Sequence, residues 1–230
     1  MHVHVNAATS VDGKLSTVDR EQVRISSPRD FDRVDALRAD VDGVMVGIGT
    51  VLADDPSLTV DDEGLIDERI ETGQDPQPTR IVADSRGRLP LDARLLDDEA
   101  ETVVLVADAA PDDRRSKLTE AGATVRIAGD ARVDLQAGLD ALEAEGIRSI
   151  LVEGGGELLY SFFEGGLVDS LSVYVGPMII GGTDAPTLVD GAGFHDHESF
   201  PSLTRNDVKS LDEGVLIEWE VTEQHENPSQ

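Results

Sequence analysis

Short runs of Val, Ile and Leu recur along this chain, separated by stretches with helical spacing. That alternation constrains the fold more than any other feature. The runs span residues 3–8, 41–48, 80–83, 102–107, 124–128, 149–152 and 171–176, and their centres are almost continuously apolar. A strand with one wet face alternates apolar and polar side chains, whereas one apolar throughout needs cover on both faces. Ser27 stands where a helix cap belongs, with Pro28 at the first helical position and Phe31, Val34 and Leu37 three apart on one expected inner face. Residues 112–121 and 135–145 carry two more helical patterns, the second closed by Gly146, and 157–163 opens another directly after three glycines. Strand alternating with helix implies an α/β fold, a mainly parallel sheet covered on both sides.

The end of the chain reads differently. Residues 203–211 and 215–221 flank the turn sequence Asp212-Glu213-Gly214, so an antiparallel hairpin is expected there. Residues 61–78 are acidic, aperiodic and punctuated by Gly and Pro, the pattern of an exposed loop. No internal repeat is visible. One domain over 1–222 is expected, with 223–230 as a disordered tail.

Charge narrows the function classes. Lys and Arg number 19 against 47 Asp and Glu, a net charge of −28. Such a surface repels nucleic acid and anionic lipid, so neither is an expected partner, and a small molecule is. The Asp-rich, Lys-poor balance resembles that of halophilic proteins. No window of eighteen apolar residues, no signal-peptide pattern and no cysteine occur, and a cytoplasmic location is the expectation.

Three stretches have the chemistry of a site. Residues 150–157 run from an apolar strand through Glu153, Gly154, Gly155 and Gly156 to Glu157 at a helix start. Glycines there allow close approach of a ligand, and a helix N-terminus attracts phosphate. The spacing is not G-x-G-x-x-G, and an empty strand-to-helix turn explains it equally well. Residues 79–88 end a strand in Ser85, Arg86, Gly87 and Arg88, and with Arg80 they suit a phosphate monoester such as the 2′-phosphate of NADPH. A solvated basic turn is the plainer alternative. Thr50 and Asp54 lie one helical turn apart after the strand ending at Gly47, and a capped short helix closed by Pro56 accounts for them too. His2 and His4, and the His195-Asp196-His197-Glu198 loop, lack zinc spacing, so no metal is assigned.

Taken together, Ser10-Val11-Asp12-Gly13-Lys14, Leu37-Arg38-Ala39 and the segments 46–59, 79–88, 152–156, 166–169 and 185–187 resemble the reductase domain of riboflavin biosynthesis. The likeness is strongest to the stand-alone archaeal 2,5-diamino-6-(ribosylamino)-pyrimidinone 5′-phosphate reductases, and it spreads over about residues 3–221. The resemblance implies a dihydrofolate-reductase-like fold, a homodimer and NADPH as cofactor, with NADH as the alternative. It implies that Thr50 and Asp54 hold the nicotinamide half and that Ser85, Arg86, Gly87 and Arg88 meet the adenosine ribose and its phosphate. Gly154, Gly155, Gly156 and Glu157 would cradle the pyrophosphate, with Val133 near the adenine and a Cβ at Gly155 intruding on the pyrophosphate's space. Arg38, Leu58 and Glu153 fall on the substrate side, and Glu153 and Asp12 are the titratable candidates for proton transfer. Bacterial relatives carry an arginine where this chain has Asp61, which leaves Arg38 as the expected phosphate anchor. A dihydrofolate reductase, or a non-catalytic nucleotide-binding protein on the same fold, are the alternatives.

Overall fold

The structure is a computed structural model describing residues 1–21 and 23–222; the expected tail at 223–230 lies outside the described residues. Nine strands form one sheet: β1 (His2–Ser10), β2 (Gly43–Gly47), β3 (Thr79–Ala83), β4 (Thr102–Val106), β5 (Thr124–Ile127), β6 (Ser149–Val152), β7 (Ser170–Gly176), β8 (Ser202–Leu211) and β9 (Gly214–Thr222). Their order is β5-β4-β3-β2-β6-β1-β7-β9-β8. Seven strands, β5 through β7, run parallel, and β9 and β8 extend the β7 edge as an antiparallel hairpin. Six helices connect them: α1 (Pro28–Asp40), α2 (Ile48–Asp54), α3 (Glu63–Glu71), α4 (Asp112–Glu120), α5 (Leu135–Ala144) and α6 (Gly156–Glu164).

The continuous apolar runs have the cause inferred for them. Val103 and Leu105 of β4 face one core, with Leu139, Leu142 and Phe162, while Val104 and Val106 face a second, with Val51, Leu89 and Leu118. Each such side chain, fully buried, contributes about 1.5–3 kcal/mol. β2 is buried along its whole length because both its faces and both its edges are covered.

Two local expectations are corrected. Residues 61–78 contain a helix, α3, capped by Asp62, whose carboxylate accepts from the amides of Gly64 and Leu65. An apolar stripe does not hold it down. The buried Arg69 guanidinium donates to the carbonyls of Ala39 and Val41 at 2.6 and 2.9 Å, satisfying the end of α1. Phe31 is 48% exposed instead of facing the core. The sheet-facing contact of α1 there is polar: the Arg33 guanidinium donates to Asp30 and, at 2.7 Å, to Asn6.

That polar layer reaches His4. Its Nδ1 and Nε2 lie 2.7 and 2.8 Å from the hydroxyls of Ser170 and Ser172. Burial first, then the Arg33 and His2 charges, pull its pKa from 6.5 down to about 4. The unfolded chain therefore takes up a proton near pH 6.5 that the folded protein refuses until about pH 4. Stability is full above pH 6.5 and falls between these values, by up to about 3 kcal/mol from this residue. Urea denaturation of the wild type and His4→Gln at pH 7 and pH 4.5 checks it: the wild type should lose more, and equal losses would clear His4.

Candidate active site

Seven parallel strands end along one edge of the sheet, where crevices in open α/β sheets receive ligands. Following the strand order, Val133 comes after β5, Ser85 after β3, Thr50 after β2, Gly154 after β6 and Asp12 after β1. At about 4.8 Å per strand, the span from β5 to β6 is roughly 19 Å, room for an extended dinucleotide. Residues far apart in sequence thus form one continuous rim.

The rim is rigid at its centre. Gly47 donates its amide to the Gly154 carbonyl at 3.1 Å, and Glu153 donates its amide to Met45 at 2.9 Å, so β2 and β6 stay joined up to the glycines. The three glycines differ from one another. Gly154 has φ +132°, and a Cβ there would meet no atom within 4 Å, so it borders open space. Gly155 has φ +90°, and its Cβ would point at Thr50, 3.4 Å from Oγ1. Gly156 is a packing residue: its Cβ would fall 2.4 Å from an Asp190 carboxylate oxygen and 2.8 Å from the Thr187 carbonyl. Asp190 is itself locked by the amide and hydroxyl of Thr187. A side chain added at Gly154 would thus enter open space, whereas one at Gly155 would touch Thr50. Among the described residues, the amides of Gly156, Glu157 and Leu158 have no acceptor, the usual state of a helix start and suited to an anion.

Thr50 is half-buried in α2. Asp54, on the last turn, is exposed, yet neighbouring atoms desolvate it enough to raise its pKa. Beyond α2 the backbone turns left-handed at Asp55 and Leu58, with φ +42° and +56°. Leu58 is 2% exposed and packs with the second core, so it offers a ligand its backbone more than its side chain.

On the substrate side, Arg38 forms a forked pair with Glu153: Nε donates to Oε1 and Nη2 to Oε2, each at 2.7 Å. Its Nη1 donates to the Thr59 carbonyl at 2.9 Å. Burial alone would lower the Arg38 pKa, but the Glu153 carboxylate, aided by Asp35 and Asp61, carries it above the ordinary value. Three of the five guanidinium donors are thereby used inside the protein, leaving two.

Asp12 is a clasp. Its carboxylate accepts from the Ser10 hydroxyl at 2.6 Å and from the amides of Ile180 and Gly181 at 3.0 and 2.7 Å. The Ser10 hydroxyl foremost, then the Ile180 amide, pull its pKa down to about 2. Lys14 adds a bond from Nζ to the Ala185 carbonyl at 3.0 Å, so the segment after β1 is tied to the loop after β7.

At the other end of the rim, the Val133 amide donates to Ser85 Oγ at 3.0 Å. The loop after β3 folds around the fully buried Asp84, which accepts from the Leu89 amide at 2.8 Å. Arg114 fixes it from outside by donating to the carbonyls of Gly87 and Leu89. The grouping of Arg80 with Arg86 and Arg88 is corrected: Arg80 is 0% exposed and turned into the protein, bonded to Asp97 and to the carbonyl of Ala100. Nothing in the local pattern around Arg114 or Asp190 marks them as supports, because both act across long sequence separations. Among the described residues, no group of three or more His, Asp or Glu is disposed to hold a metal ion.

A family model described as the RibD C-terminal domain matches residues 1–217. The chain belongs to that family. Within it, the chain is 48% identical over 193 residues to the 2,5-diamino-6-ribosylamino-4(3H)-pyrimidinone 5′-phosphate reductase of Archaeoglobus fulgidus, covering 84% of this chain and 88% of that one. It is 42% identical over 220 residues to the protein of the same name from Methanothermobacter thermautotrophicus, covering 96% and 98%. Among solved structures, Acinetobacter baumannii RibD superposes with a TM-score of 0.81 at 29% identity, covering 96% of this chain and 58% of that longer one. The family assignment accounts for the parallel sheet with its antiparallel hairpin, and no helix among the described residues is long and apolar enough to cross a membrane.

Proposed function

We propose that this chain is a nicotinamide-dependent 2,5-diamino-6-ribosylamino-4(3H)-pyrimidinone 5′-phosphate reductase. The observation that carries the reading is the coincidence of the family match with a rim that runs unbroken from Ser85 to the Arg38–Glu153 pair. The fit to a dinucleotide is tested by Gly154, whose missing side chain leaves open space beside the free amides of α6. Thr50 and Asp54 would hold the nicotinamide end, Gly154–Glu157 the pyrophosphate, and Ser85 with Val133 the adenosine end. A bound reduced nicotinamide supplies a hydride. In the reaction proposed, the substrate's ribosyl ring would open to an imine whose C1′ would take a hydride and whose nitrogen would take a proton, giving a ribityl group.

The protein's share is placement and exclusion of water, worth several kcal/mol of orientation. The Arg38 fork holds both oxygens of Glu153 in place, which makes Glu153 an acceptor for substrate N–H or hydroxyl groups and Arg38 a positioning residue with two donors to spare. Asp12, ionised down to about pH 2, has no proton to give at neutral pH, and we assign it to the clasp instead of to proton transfer. Incubation of the protein with NADPH and the ribosylaminopyrimidine phosphate in concentrated salt tests the reading. Loss of nicotinamide absorbance with a product two mass units heavier supports it; turnover of dihydrofolate in its place would sink it.

A homodimer is part of the proposal. Nearly all of β8 is exposed, including Leu203 and Val208, and Leu203 lines an apolar groove of about 310 Å³ with Phe163, Val189, Phe194 and Pro201. A second copy pairing here would cover an open sheet edge. Light scattering in concentrated salt should return twice the chain mass, and β8 variants Leu203→Lys and Val208→Lys should halve it. A wild type of one chain mass removes the dimer.

A further inference from the structure

We propose that Arg132 and Arg86 together clamp a phosphate monoester on the adenosine ribose, making Arg132 a selectivity residue for a 2′-phosphorylated dinucleotide. The inference rests on the dinucleotide reading above. It starts from what the structure does with the arginines. Arg80 is buried and turned away, Arg114 is used holding the loop, and Arg88 leans back on Asp84 at 3.7 Å. Arg86 remains, exposed, and among the described residues its guanidinium has no carboxylate, carbonyl or aromatic partner.

A second such guanidinium arrives from 46 residues further along the chain. Arg132 occupies a tight turn between β5 and α5. Gly129 opens it at φ +88°, and a Cβ there would lie 2.4 Å from the Arg132 carbonyl oxygen and 2.8 Å from the Asp134 nitrogen. The Asp134 amide returns to the Ala128 carbonyl at 3.0 Å, and its carboxylate caps α5 through the Ala137 amide. The amides of Asp108 and Ala109 tie the turn to the end of β4, each at 2.9 Å.

The two loops that carry these arginines meet through one hydrogen bond. Val133 N–H donates to Ser85 Oγ at 3.0 Å, and Arg132 and Arg86 are the chain neighbours of its two ends. Because Ser85 accepts there, its own hydroxyl hydrogen stays free to donate to a ligand oxygen. Arg132 is exposed and, among the described residues, partnerless, although Asp130 and Asp134 flank it in sequence. In a chain of net charge −28, two arginines held on rigid loops beside a free hydroxyl and paired with no carboxylate are poised for an outside anion. A doubly charged phosphate ester uses both forks. A plain ribose hydroxyl uses neither.

Calorimetric titration of 2′,5′-ADP and 5′-ADP tests this without turnover, at an ionic strength where circular dichroism is unchanged. Wild type should bind 2′,5′-ADP more tightly. Arg132→Gln and Arg86→Gln should each weaken 2′,5′-ADP roughly ten- to a hundredfold, as loss of a charge-assisted contact does, with 5′-ADP held within about twofold. The double variant R86Q/R132Q should bring the two probes to similar affinity. Turnover should follow, with the NADPH-over-NADH ratio of kcat/KM falling in R132Q. An R132Q protein that keeps its 2′,5′-ADP affinity, or weakens both probes alike, overturns the assignment. A wild type that binds neither probe sinks the dinucleotide reading and this inference with it.

Discussion

Replacing Arg38 by leucine is expected to lower the unfolding free energy by about 3–5 kcal/mol and to abolish turnover, because it strands the Glu153 carboxylate in a nearly closed site. Glu153 is 12% exposed in its side chain, and both its oxygens are held by the Arg38 fork. The informative partner is the double variant R38L/E153L. Breaking a buried pair on one side is costly, whereas removing both charges for apolar groups of similar size is often nearly neutral. The double variant should therefore recover most of the stability while staying inactive. Urea denaturation and nicotinamide absorbance separate the two effects. If the double variant is no more stable than R38L, desolvation of Glu153 is not what the pair offsets. If it regains turnover, Glu153 has no part in the site.

The glycine triplet should divide just as sharply. Gly156→Ala forces a methyl against Asp190 and the Thr187 carbonyl, an overpacking of a buried helix start that should cost about 1–3 kcal/mol. Gly154→Ala meets no protein atom, and its strain at φ +132° should cost a comparable 1–3 kcal/mol or so. What distinguishes them is the ligand. NADPH affinity should fall by about a hundredfold in G154A, close to 2.7 kcal/mol, through a methyl placed where the pyrophosphate approaches the backbone. In folded G156A it should fall far less. Thermal melting with and without NADPH reads both quantities: G156A melts early yet is still raised by NADPH, and G154A is scarcely raised at all. The reverse pattern would make Gly154 a structural glycine and return the cradle to the later two.

Much of the architecture was legible without coordinates, and for a physical reason. Strands covered on both faces must be apolar throughout, so the runs around Val46, Val82, Val104 and Leu151 announced a parallel sheet between two helical layers. The Asp212-Glu213-Gly214 turn announced the hairpin by the same kind of local necessity. The site was legible as a set of segments, since strand ends, glycines at a helix start and a resemblance carried by ordered motifs are all sequence properties. The α3 helix was not legible. It is held by the buried Arg69, reaching two carbonyls 28 and 30 residues away, and by the Asp35 carboxylate accepting from the amides of Asp61 and Asp62, and no periodicity encodes either.

Only the tertiary structure decided which partners each charged residue has. Arg80, which the sequence groups with Arg86 and Arg88, is buried against Asp97, and Arg88 lies 3.7 Å from Asp84. Arg38, expected to anchor phosphate, has three of its donors on Glu153 and Thr59 and keeps two free. Arg132 carries no signal in the sequence, and only the bond from Val133 to Ser85 brings its turn to the loop that holds Arg86. The reason is general. Burial of apolar surface depends on pattern, which lies along the chain, whereas a charge takes its role from whichever partner the fold brings within about 3 Å, and that partner is set by strand order.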